Sequence, residues 1–150
     1  MCLQLLYDIA QEQHAESIQS SIDWGCGTGI LSLAIGKWFP GARLQALDIE
    51  PEALATTKAN LDSNMISGEV MLTLPANSHA NLIVANLVTQ TLREEAVRVV
   101  NTLAPEGRLV VSGFLTEQAT SIETYFHELG LSCITGIDQL EWSAKVFIKR

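Results

Sequence analysis

Three glycines at positions 25, 27 and 29, with an aspartate before them and another at position 48, are the residues here best suited to holding a small ligand. Residues 22–30 read Ile-Asp-Trp-Gly-Cys-Gly-Thr-Gly-Ile. Small residues at alternate positions let the backbone bend tightly and approach a ligand closely. A helix starting after them offers free N–H groups and partial positive charge to a ligand carboxylate. Asp23 can accept a hydrogen bond from a ligand ammonium, directly or through water. The dinucleotide fingerprint places its third glycine three residues after the second, opening the helix. Here the third glycine comes after two, and Ile30 fills the other slot. The spacing disfavours a pyrophosphate ligand and, with it, a nicotinamide dehydrogenase.

Asp48 follows a second apolar run, where a carboxylate can accept both hydroxyls of a ribose. Aspartate also suits a helix N-cap near Pro51; the position at a strand tip favours the ribose. Ile49 then stands against the face of an attached base, or simply fills core. Asn86 ends the run Val84-Ala85-Asn86-Leu87. Its amide is placed to orient a nucleophile at the strand tip and counts among the ligand-binding positions, or it caps the next helix. Cys26 and Thr28 complete the loop and count with its glycines as ligand-binding positions. The Cys26 thiol reads better as a small neutral filler than as a nucleophile. Trp24, Trp38 and Trp142 read as packing residues. His14, His79 and His127 read as solvated or capping residues, and Glu94-Glu95 as a solvated helix face.

The elements that must position these groups follow from periodicity and punctuation. Leu3, Leu6, Ile9 and Ala10 mark an amphipathic helix over 3–17. Short strands are expected at 20–24, 43–47, 69–74, 81–85 and 108–112. Helices are expected at 30–39, 51–64, 89–103 and 117–129. Pro51 suits a first helical turn, and Gly130 suits the position just past a helix end. Pro105-Glu106-Gly107 marks a turn. The last strands, 131–137 and 142–149, have no helix between them and should form an antiparallel hairpin at one edge. Repeated strand–helix alternation demands a mostly parallel sheet covered on both faces. The expectation is one α/β domain over 1–150, with seven strands and the glycine loop at the carboxyl ends of the strands.

Composition narrows the partners. A formal charge of −8 repels phosphate backbones, so direct nucleic-acid binding is disfavoured, while a basic protein would be tolerated or drawn in. No apolar run of ~18 residues offers a membrane span. Cys2, Cys26 and Cys133 are odd in number and far apart, which fits reduced cytoplasmic thiols rather than disulfides or a metal site.

With these residues placed, the loop and Asp48 resemble the cofactor site of class I S-adenosylmethionine-dependent methyltransferases, which have a Rossmann-like fold. An adenosyl-sulfonium ligand suits the glycine spacing better than a pyrophosphate does. Four segments, residues 23–33, 46–53, 81–87 and 107–118, together resemble the catalytic domain of the PrmA family, and so does the closing stretch with Trp142. That family methylates amino groups of a large-subunit ribosomal protein. The resemblance implies S-adenosylmethionine as cofactor and a nitrogen nucleophile as acceptor, with a protein, possibly a ribosomal one, as substrate. Family members also carry an N-terminal recognition domain and a Gly- and Thr-rich segment over the cofactor, neither of which this sequence shows. Residues Leu72-Thr73-Leu74-Pro75 lack the acid that often holds the adenine amine. The alternative is therefore a cofactor-binding module that needs a recognition domain or a partner for activity. A small-molecule methyltransferase is a weaker alternative.

Overall fold

The structure, a computed structural model, describes residues 1–13 and 15–150, so the expectation for His14 lies outside the described residues. The elements are α1 (Cys2–Ala10), β1 (Ser20–Trp24), α2 (Ile30–Trp38), β2 (Arg43–Leu47), α3 (Pro51–Ser63), β3 (Glu69–Met71), β4 (Ala80–Asn86), α4 (Thr89–Thr102), β5 (Leu103–Leu115), α5 (Ala119–Glu128), β6 (Leu131–Gln139) and β7 (Trp142–Lys149), with short 3-10 turns at Ala15–Ser17 and Thr116–Gln118. The strands form one sheet in the order β3-β2-β1-β4-β5-β7-β6. The first five pair in parallel, while β7 runs antiparallel to both β5 and β6. The expected seven-stranded sheet with a C-terminal hairpin at one edge is therefore observed.

The core lies in two layers because successive side chains of a buried strand face opposite ways. Ile83 and Ala85 of β4 join Leu92, Val99 and Phe126 on the α4–α5 side. Leu82 and Val84 join Leu5, Leu6, Ile9 and Ile35 on the α1–α2 side. On β1 the same alternation places Ile22 and Trp24 in the α4–α5 cluster. Asp23, between them, accepts a hydrogen bond from Ser32 of α2 on the opposite face.

Some boundaries differ from expectation. Helix α1 ends at Ala10, and its buried stripe is Cys2, Leu5, Leu6 and Ile9, one helical face at i, i+3, i+4 and i+7. Leu3, expected inside, is 40% exposed. Strand β3 stops at Met71 rather than continuing to 74. Strand β5 begins at Leu103, ahead of the expected turn, because Leu103 pairs with Ala80. The register then breaks and resumes at Leu82–Arg108. The turn residues thus bulge out of a strand rather than preceding it. Gly130 has a positive φ and donates its N–H to the His127 carbonyl just past α5, as expected.

Candidate functional site

The strand order reverses beside β1: β2 and β3 lie on one side, β4 and β5 on the other. Ligands of open parallel sheets bind at such a switch point, outside the carboxyl ends of the strands. The glycine loop occupies that place. The N–H groups of Gly25 and Cys26 both donate to the Leu47 carbonyl, at 2.7 and 2.9 Å, which ties the loop across the tip of β2. The Gly27 N–H donates to Asp48 Oδ2 at 2.9 Å. A side chain at Gly29 would bring its Cβ to 3.1 Å from the Thr57 backbone, at a φ of +81°. The loop therefore packs closely on α3 there. A Cβ at Gly27 would meet nothing within 4 Å and would project into open space.

Asp48 does not cap α3; Glu50 occupies that position without a side-chain bond. Asp48 Oδ1 instead accepts the Glu50 N–H at 3.0 Å, and Oδ2 accepts that of Gly27. The two bonds fix the carboxylate at the β2 tip, and each oxygen retains a lone pair for a further donor. Ile49 is 80% exposed, which removes core filling as its role. Asn86 does not cap α4 either, since Val88 stands at the N-cap with no side-chain bond. Asn86 is exposed at the tip of β4, opposite Ser112 in register. Its amide has no hydrogen bond among the described residues.

Asp23 is 1% exposed. Its Oδ2 accepts the Ser32 hydroxyl at 2.6 Å, and its Oδ1 is buried with no partner among the described residues. Burial raises its pKa from 3.8 to about 6; hydrogen bonds from the Ser32 side chain and backbone lower it, and the Asp48 charge adds to the rise. Cys26 lies under α3, where Thr57 Oγ1 donates to its sulfur at 3.3 Å. Burial lifts that thiol to about 11, so it is a poor nucleophile at neutral pH. Cys2 is likewise buried and pushed to about 11. A thiol-disulfide reagent added to the native protein should titrate one cysteine, the exposed Cys133, and all three after unfolding. Two fast thiols in the native state would contradict this packing.

Two clefts meet at Leu87, which packs against Gly25 of the loop. One, of about 350 Å³, is lined by Trp24, Gly25, Asp48, Ile49, Leu72 and Glu95 among others. The second, of about 560 Å³, lies between α1, α2 and the tips of β4 and β5, with Asn86, Ser112, Gly113 and Trp142 on its walls. Leu87 lines both and forms the partition. Ile30 and Leu31 line the second cleft. As first residues of α2, their N–H groups have no acceptor within the helix.

The arrangement suits an elongated ligand with a nucleoside at one end and an amino acid at the other. Asp48 stands in the nucleoside cleft and the start of α2 lines the other, while the orphaned Asp23 oxygen is buried and lines neither cleft. The space beside Gly27 lies open for close approach. These features fit S-adenosylmethionine.

Three features escaped sequence reasoning. Trp142, expected to pack, is 43% exposed on the wall of the larger cleft. Glu95, expected on a solvated face, is partly buried and accepts the Trp24 indole N–H at 3.2 Å. The signal for it is its spacing: Glu95 lies three residues after Leu92 and four before Val99, at the border of the buried stripe. Leu87 as partition carried no recognisable signal. His79 and His127 are exposed, as expected.

Comparison with known proteins bears on the family and the fold. The pattern of the family described as "Ribosomal protein L11 methyltransferase (PrmA)" matches residues 1–150. A ribosomal protein L11 methyltransferase of Aliivibrio fischeri is 33% identical over 126 residues, covering 81% of this chain and 42% of that protein. One from Methylococcus capsulatus is 31% identical, covering 100% of this chain and 50% of that protein. The chain thus spans about half the length of the curated relatives it matches. Among solved structures, a ribosomal protein L11 methylase from Lactobacillus delbrueckii subsp. bulgaricus superposes with a TM-score of 0.86 at 23% identity, over 99% of this chain and 78% of that one. An S-adenosylmethionine-dependent methyltransferase from Clostridium acetobutylicum superposes with a TM-score of 0.78 at 12% identity, over 97% of this chain and 89% of that one. The fold is the Rossmann-like methyltransferase fold.

Proposed function

This chain belongs to the ribosomal protein L11 methyltransferase (PrmA) family, and we propose that it moves a methyl group from S-adenosylmethionine to an amino group of a protein, with ribosomal protein L11 as the acceptor. The observation that carries the reading is the pair of clefts that share Leu87 beside the glycine loop, one bearing Asp48 and the other an uncommitted Asn86. Such an acceptor places the reaction in the cytoplasm. Among the described residues no helix is long and apolar enough to cross a membrane. The acidic chain repels nucleic acid and suits a basic protein partner.

Bound S-adenosylmethionine supplies an already activated methyl group on its sulfonium. The chain's own task is then chiefly alignment. Asp48 would hold the ribose hydroxyls, and Ile49 would lie against the base. Asp23 would take the ammonium, while the N–H groups at the start of α2 would take the carboxylate. Gly25, Gly27 and Gly29, with Cys26 and Thr28 between them, shape the loop around that ligand. In the larger cleft Asn86 would accept a hydrogen bond from the acceptor amine and orient its lone pair. Among the described residues the walls of that cleft carry no ionised side chain, and the titratable side chain they present is the raised Cys2 thiol. A charged lysine entering there is desolvated, which favours loss of its proton before attack.

Asn86→Ala is expected to lower turnover on ribosomal protein L11 about tenfold, with binding of S-adenosylhomocysteine unchanged. Radiolabelled methyl transfer, read beside calorimetric titration, checks both halves. Unchanged turnover would remove Asn86 from the reaction. Cofactor binding without transfer to any ribosomal protein would favour the reading as a binding module that needs a recognition domain or partner. Absence of cofactor binding would defeat both readings.

A further inference from the structure

The smaller cleft contains an acceptor–donor pair that the proposed reaction has not used. Its walls toward a ligand base are apolar: Ile49, Leu72 and Leu87. Apolar walls hold any flat base, so discrimination among bases must come from its edge. Besides Asp48, the acids lining this cleft are Glu94 and Glu95, both from α4. Among the described residues the segment after β3 supplies Leu72 to it.

Glu95 is held in place. Its Oε2 accepts the Nε1–H of Trp24 at 3.2 Å and the Nη1–H of Arg98 at 3.0 Å. Trp24 is buried, and a buried indole N–H needs an acceptor, so the carboxylate is anchored from below. The Arg98 guanidinium sits over the same indole, 5.1 Å from the ring centroid. Both bonds fall on Oε2, leaving Oε1 with no hydrogen bond among the described residues. Glu94 differs: it is exposed and accepts the amide of Gln90, one helical turn back, with no other hydrogen bond among the described residues.

We propose that Glu95 and Arg98, seated together on Trp24, read the amine edge of the adenine base and set the nucleoside specificity of this site. The inference rests on the cofactor reading above. A carboxylate oxygen only accepts hydrogen bonds and a guanidinium only donates. Adenine presents an N6 amine donor beside the N1 acceptor, which complements such a pair. Hypoxanthine presents a carbonyl acceptor beside an N1–H donor, and meets the same pair with both polarities reversed.

The test is calorimetric titration of the full chain with S-adenosylhomocysteine and S-inosylhomocysteine. Wild type should prefer the adenosyl ligand by about tenfold or more. Glu95→Gln keeps an acceptor for Trp24 and adds an N–H for the hypoxanthine carbonyl. It should shrink the preference to within about threefold, partly by improving inosyl binding. Glu94→Gln should leave the preference unchanged. Arg98→Met, which spares the carboxylate, should also shrink it, and it decides the matter if thermal unfolding shows Glu95→Gln to be misfolded. Failure of wild type to bind either ligand would defeat the cofactor reading itself. Adenosyl binding with a preference indifferent to both Glu95→Gln and Arg98→Met, or sensitive to Glu94→Gln instead, would overturn the proposal while leaving that reading intact.

Discussion

Asp23→Asn is expected to make the free protein more stable at neutral pH and to weaken its hold on S-adenosylhomocysteine roughly 30- to 150-fold. Both effects come from one buried carboxylate with one oxygen satisfied by Ser32 and the other by nothing among the described residues. Burial lifts its pKa from 3.8 to about 6, so folding at neutral pH must carry an ionised group the interior disfavours. Two pKa units correspond to roughly 3 kcal/mol. Asparagine removes the charge and can still accept the Ser32 hydroxyl. Its own amide nitrogen is then left unpaired, so the net gain is nearer 1–2 kcal/mol. For a chain of this size that raises Tm by roughly 3–6 °C. The sign with pH follows from the raised pKa. The stability associated with Asp23 is fully present below 3.8 and is lost as pH rises through about 6. The advantage of Asp23→Asn should therefore be largest above pH 6 and reverse near pH 4, where the wild-type carboxyl is neutral and the cost of the unpaired amide remains. The ligand side runs the other way, because a charged hydrogen bond to a cation is lost, at roughly 2–3 kcal/mol. Thermal unfolding from pH 4 to 8, with calorimetry of S-adenosylhomocysteine, reads both. A variant less stable than wild type at pH 7.5 would show that the carboxylate is not under strain in the free protein.

The same residue shows what could be read from the sequence and what could not. An aspartate before a glycine loop at a strand end was legible, because the short run Ile22-Asp23-Trp24 ends where the glycines begin. That its two oxygens differ, one satisfied and one orphaned, depends on Ser32 of a different element and is visible only when packed. Asp48 and Asn86 each carried a capping alternative that local sequence could not remove. The structure removes it because α3 and α4 start later, at Pro51 and Thr89, out of reach of either side chain as an N-cap. Pro105-Glu106-Gly107 signalled a turn, and the chain does bend there, with Glu106 at a φ of +58°, as a bulge within β5. Long-range pairing of Leu103 with Ala80 nonetheless encloses it within a strand. Glu95 was misjudged for a related reason. The acceptor demand that draws it inward belongs to Trp24, 71 residues away. Periodicity located the layers, while hydrogen-bond demands between elements decided the side chains.

Gly113→Ala is expected to cost about 3–5 kcal/mol and to damage the site through the backbone alone. Gly113 sits where the β5–β7 register shifts, between Ser112 and Phe114, with a φ of +95°. A Cβ there would lie 2.3 Å from the Leu87 carbonyl oxygen, 2.7 Å from its carbon and 3.0 Å from its nitrogen. All three are backbone atoms, so no side-chain rotation relieves the clash. The chain after β4 must move away from β5, stretching the 3.0 Å bond from the Leu87 N–H to the Ser112 carbonyl. Steric displacement and the weakened bond add to the strain of a side chain at positive φ. Gly130 provides the comparison. It has a similar φ, +89°, but a Cβ there meets nothing within 4 Å. Gly130→Ala carries the strain without the clash and should cost only about 1 kcal/mol. Urea unfolding of the two variants isolates the close approach as their difference. Gly113→Ala should also reduce turnover beyond its effect on stability, because Leu87 partitions the clefts and directly follows Asn86. Equal losses of stability in the two variants would show that β4 and β5 have room to part there, and that the Gly113–Leu87 contact does not hold Asn86 in place.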